Sequence, residues 1–291
     1  MKIYRSKKAG KQIHDTYNEL LNRWNVDKEE KDIAGTYGKT HVITCGEEGK
    51  PPLVLFHGVG DNSALMWIYN AQALSRHFHI IAIDTIGGSG KSLPNENYNK
   101  EFDDAKWIDE VLSELALDKV YIAGVSHGAF LAQYYALHRP ERTEMILCMA
   151  GSVPVGNSSP MKTMMKIFLP EALFPTERNT IKLLKKLSGE NSSVFTENPI
   201  ILEHYRALLK GFNNMAMAYH KVEPFSDEQV VSIRDKALYL VGDEDPFAKL
   251  GGKNALIQYR MNAKFYPEAG HGINHEISDK INDEIIRYFS S

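Results

Sequence analysis

The seven residues AGVSHGA, from Ala123 to Ala129, decide the fold of this chain. They follow the run KVYI, which is typical of a short buried strand, and they lead into AFLAQYYALH, which is typical of a helix. Gly124 and Gly128 allow a tight turn from strand to helix, with Ser126 between them. A serine in this context has a strained backbone and an exposed hydroxyl, as a nucleophile requires. The alternative is an ordinary Ser-Gly turn that closes a strand.

Strand-like and helix-like segments alternate on both sides of this turn. Strands are predicted at HVITCGE, PPLVLFHG, HIIAID, KVYIAGV, EMILCMA, KALYLVG and AKFYP. Helices are predicted over residues 12–24, 64–74, 101–117, 129–138, 249–259 and 275–289. This alternation predicts an α/β fold with a mostly parallel central sheet flanked by helices.

The alternation stops at Gly151 and resumes near residue 231. Between these points, Pro, Ser and Asn separate Met- and Leu-rich helical segments such as MKTMMKIFL and TIKLLKKL. We therefore predict a core made of residues 1–151 and 231–291, and a helical cap made of residues 152–230. Such a cap lies over the carboxyl edge of the sheet, where ligands bind in open α/β sheets.

Two backbone amides are predicted to bind a developing oxyanion. The amide of His127 follows Ser126 at the start of the helix, while its imidazole leaves the turn in another direction and is not predicted to be the base. The second amide is that of Val59 in the loop LVLFHGVG, which follows an earlier strand. His57 in the same loop is predicted to hold the turn through hydrogen bonds.

The base is predicted at His271, in the motif GHG between the strand AKFYP and the last helix. His275 is the alternative, but it lies at the expected start of that helix beside Glu276, where a capping or surface role is natural. The role of His271 requires a carboxylate that orients the ring and balances its charge.

Three carboxylates follow the strand KALYLVG: Asp243, Glu244 and Asp245. Asp243 lies at the turn itself and is predicted to bond local amides. Asp245 lies one step deeper in the loop and is predicted to be the partner of the histidine. The order of Ser126, Asp245 and His271 along the chain agrees with the order in hydrolases built on such a sheet.

These motifs together resemble the α/β-hydrolase fold superfamily: HGVG, DTIGGSGKS, GVSHG, GDED and GHG. The segments TYNELLNRWNV, GKTHVITCG and PPLVLFHG are also similar to those of bacterial carboxylesterases of the naproxen-esterase type. The resemblance implies a cap inserted after the sixth strand of that fold. It also implies hydrolysis of a small carboxylic ester through an acyl-enzyme on Ser126, with no cofactor and no metal. The chain differs from the usual pattern of the superfamily at two places, and both affect which acyl group fits. The loop after Asp84 is one residue longer than usual, and His127 stands where many members have a smaller or apolar residue.

Other functions of the same fold stay open. A Ser-His-Asp enzyme of this kind can cleave carbon–carbon bonds, lactones, amides or thioesters, and some members of the fold bind ligands or signal without catalysis. Haloalkane dehalogenases and epoxide hydrolases are disfavoured, because they use a carboxylate nucleophile where this chain has Ser126.

Six apolar residues of the predicted cap are candidates for an acyl pocket, since methionine adapts to varied shapes. The alternative for each of them is ordinary packing between cap helices. The six are Met161, Met164, Met165, Phe168, Met215 and Met217.

Charge and composition exclude several partners. The chain has 291 residues and a formal net charge of −3, which gives no basis for nucleic-acid binding. The segment GGSGKS resembles the end of a phosphate-binding loop, but Thr85 stands where that loop needs a glycine five positions before Gly90. We therefore predict a small-molecule substrate and neither a nucleotide nor a nucleic acid.

Location is predicted from the N-terminus and the cysteines. The first 24 residues are basic but contain no apolar stretch of the kind a secretory signal needs. No run approaches the roughly 18 apolar residues that a membrane span needs. Cys45 and Cys148 lie in apolar strand-like runs and are predicted to be buried, reduced thiols. The sequence predicts a soluble cytoplasmic protein and leaves its oligomeric state open.

Overall fold

The computed structural model describes residues 2–156 and 165–291. Met161 and Met164 of the predicted acyl pocket lie outside these residues. The described strands are β1 Lys28–Gly35, β2 Gly38–Cys45, β3 Pro52–Phe56, β4 His79–Ile83, β5 Leu93–Pro94, β6 Val120–Val125, β7 Thr143–Met149, β8 Ala237–Gly242 and β9 Asn262–Tyr266.

These strands form one sheet in the order β1-β2-β4-β3-β6-β7-β8-β9, with the two-residue β5 paired to β2. The six strands from β4 to β9 along this order pair in parallel. The pairs of β2 with β1, β4 and β5 are antiparallel. The prediction of a mostly parallel sheet is confirmed.

Helices cover both faces of the sheet. The α-helices are α1 Lys7–Asn22, α2 Ser63–Met66, α3 Ala71–Leu74, α4 Asp104–Glu114, α5 His127–His138, α6 Glu177–Leu187, α7 Ser193–Thr196, α8 Pro199–Gly211, α9 Asp227–Ile233, α10 Lys253–Gln258, α11 Ile273–Glu276 and α12 Ser278–Phe289. A π-helical turn, Ala248–Gly252, precedes α10.

The strand side chains alternate between two apolar layers. Val54 and Phe56 of β3 contribute to a layer with residues of α4 and α5, and Leu53 and Leu55 contribute to the opposite layer with residues of α1 and α12. Each fully buried aliphatic or phenyl side chain contributes about 1.5–3 kcal/mol to folding. Burial on both faces explains why the parallel strands are continuous apolar runs in the sequence.

In the antiparallel part of the sheet, the sequence prediction included β2, as HVITCGE, but not β1 or β5. In β1 (KEEKDIAG) Ile33 is the buried residue, and most of the other side chains are exposed or half-buried. This strand has no apolar pattern of its own, and it forms because every residue from Lys28 to Gly35 pairs with β2. The two-residue β5 likewise depends on its partner.

Several predicted helices have different bounds in the structure. The first begins at Lys7 rather than residue 12, because the Ser6 side chain accepts a hydrogen bond from the amide of Ala9 and caps it. The segment 64–74 forms two four-residue helices, α2 and α3, rather than one helix. The predicted closing helix divides at Ile277 into α11 and α12.

The β7–β8 insertion, residues 150–236, contains the predicted cap. In its described parts, 150–156 and 165–236, the regular elements are helical, and an isolated bridge joins Tyr4 to Phe212. The first four residues of the segment MKTMMKIFL lie outside the described residues. The strand that precedes this insertion is the sixth of the fold when the two-residue β5 is not counted.

The segment GGSGKS folds around a buried aspartate. The Asp84 carboxylate accepts hydrogen bonds from the amides of Ser63 and Lys91 and from the hydroxyl of Tyr17, at 2.8–2.9 Å. A Cβ on Gly90 would overlap the Asp84 carboxyl group. The strand β5 follows instead of a helix, so this segment does not have the form of a phosphate-binding loop.

The two thiols are buried and unpaired, as predicted. Burial raises the pKa of Cys45 to about 12 and raises that of Cys148 further. Both thiols are therefore protonated and inert near neutral pH. Among the described residues, no helix is both long and apolar enough to cross a bilayer.

A buried pair of side chains, His220 and Asp104, joins the β7–β8 insertion to the core. Asp104 Oδ1 lies 2.6 Å from His220 Nδ1, and the carbonyl of Ile86 lies 2.7 Å from His220 Nε2. His220 follows α8 in the insertion, Asp104 begins α4, and Ile86 follows β4. The two side chains are 1% and 6% exposed, so each depends on the other for its polar contacts.

We expect His220→Ala to lower the free energy of unfolding by about 3–5 kcal/mol, because it leaves the Asp104 carboxylate buried and unpaired. Urea denaturation measures the change. Lys221→Ala is the matched control: Lys221 is the exposed neighbour, and its loss should change stability by less than about 0.5 kcal/mol. An equal effect of both substitutions would contradict this account of the pair.

Candidate active site

The turn at Ser126 has the strained geometry that its sequence predicts. Ser126 has φ 57° and ψ −113°, a conformation that costs a side-chain-bearing residue about 1–3 kcal/mol. Glycine is required on both sides: a Cβ on Gly124 would overlap the carbonyl of Gly128, and a Cβ on Gly128 would overlap the carbonyl of Phe56. The close packing of α5 against β3 and β6 therefore holds the turn in place.

The Ser126 side chain is not used for helix capping. Ser126 is the N-cap residue of α5, yet its side chain makes no capping hydrogen bond. The hydroxyl lies at the positive end of the helix dipole, where a developing negative charge is stabilised. Its neighbour across the loop is Gly58, whose missing Cβ would lie 3.3 Å from Ser126 Cβ.

His271 and Asp245 form a direct hydrogen bond. His271 Nδ1 lies 2.9 Å from Asp245 Oδ2, and the Asp245 side chain is 1% exposed. The amide of Phe247 donates to the other carboxylate oxygen at 2.8 Å. The ring of Phe247 packs on the imidazole, with 4.7 Å between ring centroids. The loop that follows β8 thus fixes both the carboxylate of Asp245 and the ring of His271.

The charge of Asp245 controls the basicity of His271. Burial of the imidazole lowers its pKa, but the charge and hydrogen bond of Asp245 outweigh burial and raise the pKa of His271 above 6.5. More distant carboxylates, Glu276 and Asp61, act in the same direction. The ring is therefore suited to accept a proton near neutral pH.

Ser126, Asp245 and His271 line the same cavity, which has a volume of about 180 Å³. The hydrogen bonds of the described residues do not include one between Ser126 and His271. Such contacts are often long before a substrate binds. The other lining residues are mostly small: Ala150, Gly151, Ser152, Val241, Phe247, Ala248 and Gly252.

The cavity differs from the predicted methionine-lined pocket. Met165 and Met215 are exposed, and Met217 packs against Ile13 and Phe212 in a separate apolar cluster. Phe168 is half-buried, and none of the four described residues of the predicted set lines the cavity beside Ser126. The small residues that follow β7 and those of the π-helical turn line it instead.

His275 is buried rather than at the surface, so the predicted capping or surface role is wrong. It is 3% exposed, and its Nε2 lies 3.0 Å from the carbonyl of Leu65. Burial lowers the pKa of His275 to about 4, which keeps the ring neutral. The residue faces α2 and Phe195 and not Ser126.

Asp243 does not bond local amides as predicted. Its Oδ1 instead accepts a hydrogen bond from Lys253 Nζ at 2.6 Å, in a half-exposed ion pair. This pair joins the loop after β8 to α10. Asp243 therefore contacts Lys253, whereas Asp245 contacts the imidazole.

The loop after β3 is fixed by His57, as predicted. Its Nδ1 lies 2.8 Å from the carbonyl of Gly58, and its Nε2 accepts a hydrogen bond from the amide of Thr85 at 2.9 Å. The ring is completely buried, and burial lowers its pKa. Val59 follows in this loop and is 39% exposed.

The His127 imidazole is buried away from bulk water. Burial, followed by the neighbouring rings of His220 and His57, lowers the pKa of His127 well below 6.5. Its ring stacks on Phe130, and among the described residues its Nε2 has no hydrogen-bond partner. A neutral, enclosed ring agrees with the prediction that His127 contributes its amide rather than a base.

Three residues near the site were not predicted from the sequence: Phe247, Asp61 and Glu276. Phe247 lies two positions after Asp245, so it could have been found from the loop itself. Asp61 lies two positions after Val59, and burial raises its pKa to about 7. Glu276 contacts segments that lie far from it in sequence, and no local pattern signals that. Among the described residues no cluster of three metal-ligating side chains occurs.

Residues 51–276 match the family described as the α/β hydrolase fold. The chain therefore belongs to the α/β-hydrolase fold family.

Carboxylesterases of Bacillus subtilis are similar to this chain over nearly its full length. The chain is 28% identical to the carboxylesterase nap of Bacillus subtilis, over 97% of this chain and 93% of that protein. It is 23% identical to the carboxylesterase YbfK of the same organism, over 96% and 94% of the two chains. The crystal structure of naproxen esterase from Bacillus subtilis is similar with a TM-score of 0.82 and 26% identity, covering 98% of this chain and 99% of that one.

Proposed function

We propose that this protein is a serine carboxylesterase that cleaves small carboxylic esters through an acyl-enzyme on Ser126. The observation that carries the proposal is the 2.9 Å contact between His271 Nδ1 and Asp245 Oδ2 in a cavity that Ser126 also lines. The similarity to Bacillus subtilis carboxylesterases over nearly the full length of both chains supports it.

In the proposed first half-reaction, Ser126 Oγ attacks the ester carbonyl carbon while its proton passes to His271 Nε2. The Asp245 carboxylate stabilises the imidazolium that forms and holds the proton on Nδ1. The tetrahedral intermediate then collapses: the bond to the alcohol oxygen breaks, and the imidazolium gives that oxygen its proton. The products of this step are the free alcohol and the acyl-serine.

In the proposed second half-reaction, water attacks the acyl-serine carbonyl and gives its proton to His271. Collapse of this intermediate releases the carboxylic acid and returns the proton to Ser126 Oγ. In both halves the amides of Val59 and His127 are the proposed donors to the oxyanion. Losing one such donor typically costs about 2.7–4 kcal/mol of transition-state stabilisation.

The cavity beside Ser126 favours short acyl groups. Its volume of about 180 Å³ is below the roughly 300–1,000 Å³ of sites that enclose drug-sized ligands. Small residues such as Ala150 and Gly151 line it next to Ser126, so a short chain fits without displacing larger side chains. Residues 152–230 are proposed to act as a cap over this site.

The cytoplasmic location is part of the same proposal. The basic N-terminal residues form α1, whose buried residues Ile13, Tyr17, Leu20 and Leu21 lie at helical spacing and pack into the fold.

The proposal is tested by hydrolysis of p-nitrophenyl esters of graded acyl length, from acetate to dodecanoate. We expect the highest kcat/KM with the short acyl groups and a steep decline for long ones. A fluorophosphonate probe is expected to label the protein once, and mass spectrometry should place the adduct on the tryptic peptide that contains Ser126. Ser152→Ala is the matched control for the labelling of Ser126. It removes a different hydroxyl from the cavity wall, one that donates to the Gly252 carbonyl at 2.7 Å.

Other outcomes favour the alternatives. Faster turnover of lactones, amides, thioesters or carbon–carbon substrates than of any ester would assign a different reaction to the same residues. A folded protein that neither reacts with the probe nor hydrolyses any of these substrates would be a binding protein.

A further inference from the structure

The loop that carries His271 is held by a buried carboxylate that the mechanism above does not use. Glu276 in α11 is 7% exposed. Its Oε1 accepts a hydrogen bond from the amide of Gly270 at 3.1 Å, and its Oε2 accepts one from the amide of Gly189 at 2.6 Å. Gly270 directly precedes His271, whereas Gly189 lies in the β7–β8 insertion. One carboxylate therefore joins the two segments.

Backbone contacts reinforce this connection. The amide of His271 donates to the carbonyl of Leu187 at 2.7 Å, and the amide of Glu190 donates to the carbonyl of Glu268 at 2.9 Å. The packing is close, because a Cβ on Gly270 would overlap the Leu187 carbonyl. The segment 187–190 of the insertion thus follows the histidine loop, and the Glu276 carboxylate closes the contact.

Three carboxylates face His271 from different elements. Asp245 approaches from the loop after β8, Glu276 from α11 and Asp61 from the loop after β3, and each of them raises the pKa of the imidazole against the effect of its burial. Asp245 alone among them is hydrogen-bonded to the ring. The other two therefore act through their charge.

Glu276 has its own polar surroundings. Burial raises its pKa above the usual value, the amides of Gly189, Gly270 and Gly272 lower it, and the charge of Asp245 raises it. Amide hydrogen bonds favour the ionised form of a carboxyl group. The amides therefore offset part of the effect of burial, and the pKa of Glu276 stays above its usual value.

We propose that Glu276 is a positioning residue for the serine-hydrolase reaction. It fixes the His271 loop to the segment 187–190 and adds a second negative charge that stabilises the imidazolium. The inference rests on the proposed function of His271 as the base. Because Glu276 does not contact the ring, its charge favours the protonated form without competing for the proton that Ser126 supplies.

Glu276→Gln separates charge from shape. The side chain keeps its size, but a carboxamide has one acceptor oxygen, so one of the two glycine amides loses its partner. We expect kcat to fall about tenfold. We also expect the acid limb of the kcat/KM profile to move to lower pH by about half a unit or more, because loss of the negative charge lowers the pKa of His271. A purely structural role would lower kcat without moving this limb.

Glu276→Asp tests the bridge without removing the charge. A side chain shorter by one methylene cannot reach both amides, so we expect a lower kcat with the acid limb close to its wild-type position. Asp279→Asn is the matched control, since Asp279 is an exposed carboxylate in the first turn of α12 and takes no part in the contacts between the segment 187–190 and the His271 loop. It should leave kcat and the pH profile unchanged.

An NMR titration of the His271 ring, assigned with His271→Ala, gives a second measurement that needs no turnover. In Glu276→Gln the His271 pKa should fall. A wild-type protein that hydrolyses no ester would contradict the proposed function, while the titration would still decide the role of Glu276. An unmoved His271 titration in folded Glu276→Gln, or a wild-type kcat in Glu276→Asp, would overturn the inference.

Discussion

Ser126→Ala is expected to reduce kcat for a short-chain p-nitrophenyl ester by about 10⁴- to 10⁶-fold, with KM changed little. The substitution removes the oxygen that we propose forms the acyl-enzyme, and it leaves the proposed oxyanion amides and the cavity in place. The remaining rate would come from attack by water assisted by His271. Steady-state kinetics measures the loss, and fluorophosphonate labelling should disappear with it.

The same position offers a test of backbone strain that is independent of activity. Alanine keeps a Cβ at φ 57°, so Ser126→Ala should change the free energy of unfolding by less than about 1 kcal/mol. Ser126→Gly should raise it by about 1 kcal/mol or more, because glycine adopts this conformation without strain. Urea denaturation of both variants checks this. Retained labelling in Ser126→Ala would contradict the assigned nucleophile, and a stability loss in Ser126→Gly would contradict the strained turn.

The parts of the site that the sequence predicted are those that depend on one strand and its loop. Ser126, Asp245 and His271 each follow a parallel strand, β6, β8 and β9 respectively. The carboxyl ends of parallel strands meet at one edge of a sheet, so a correct strand pattern brings the following loops together. The short motifs GVSHG, GDED and GHG then select the residue within each loop.

The errors arose where tertiary contacts decide the direction of a side chain. His275 lies in the four-residue helix α11, and packing against α2 rather than local sequence determines that it is buried. Asp243 pairs with Lys253, which lies in a helix that the sequence alone does not orient. A motif gives the position of such a residue along the chain but not the partner that its side chain meets.

The contacts between the insertion and the core were beyond prediction for the same reason. His220 and Asp104 are 116 positions apart, and Glu276 and Gly189 are 87 positions apart. The polar residues involved have no apolar periodicity that would indicate burial. Their role becomes visible once the fold brings the insertion against α4 and against the His271 loop.

Asp245→Asn is the second substitution with a large expected effect: we expect kcat to fall by about 10⁴-fold with little change in KM. In the wild type, one carboxylate oxygen accepts from the Phe247 amide and the other accepts from His271 Nδ1. An asparagine has one acceptor oxygen for these two donors. If its amide group faces the ring, the proton moves from Nδ1 to Nε2, and the base can no longer accept a proton from Ser126.

Loss of the charge adds a second effect that the pH profile detects. Because the Asp245 carboxylate raises the pKa of His271, the remaining activity of Asp245→Asn should show an acid limb at lower pH than the wild type. Asp243→Asn is the matched control, because it removes a carboxylate from the same loop and breaks the half-exposed pair with Lys253. It should lower kcat less than about tenfold, as expected for an ion pair of small energy. A large loss in Asp243→Asn with a small one in Asp245→Asn would reverse the assignment of the acid, since the imidazole would then depend on a carboxylate that it does not contact in this structure.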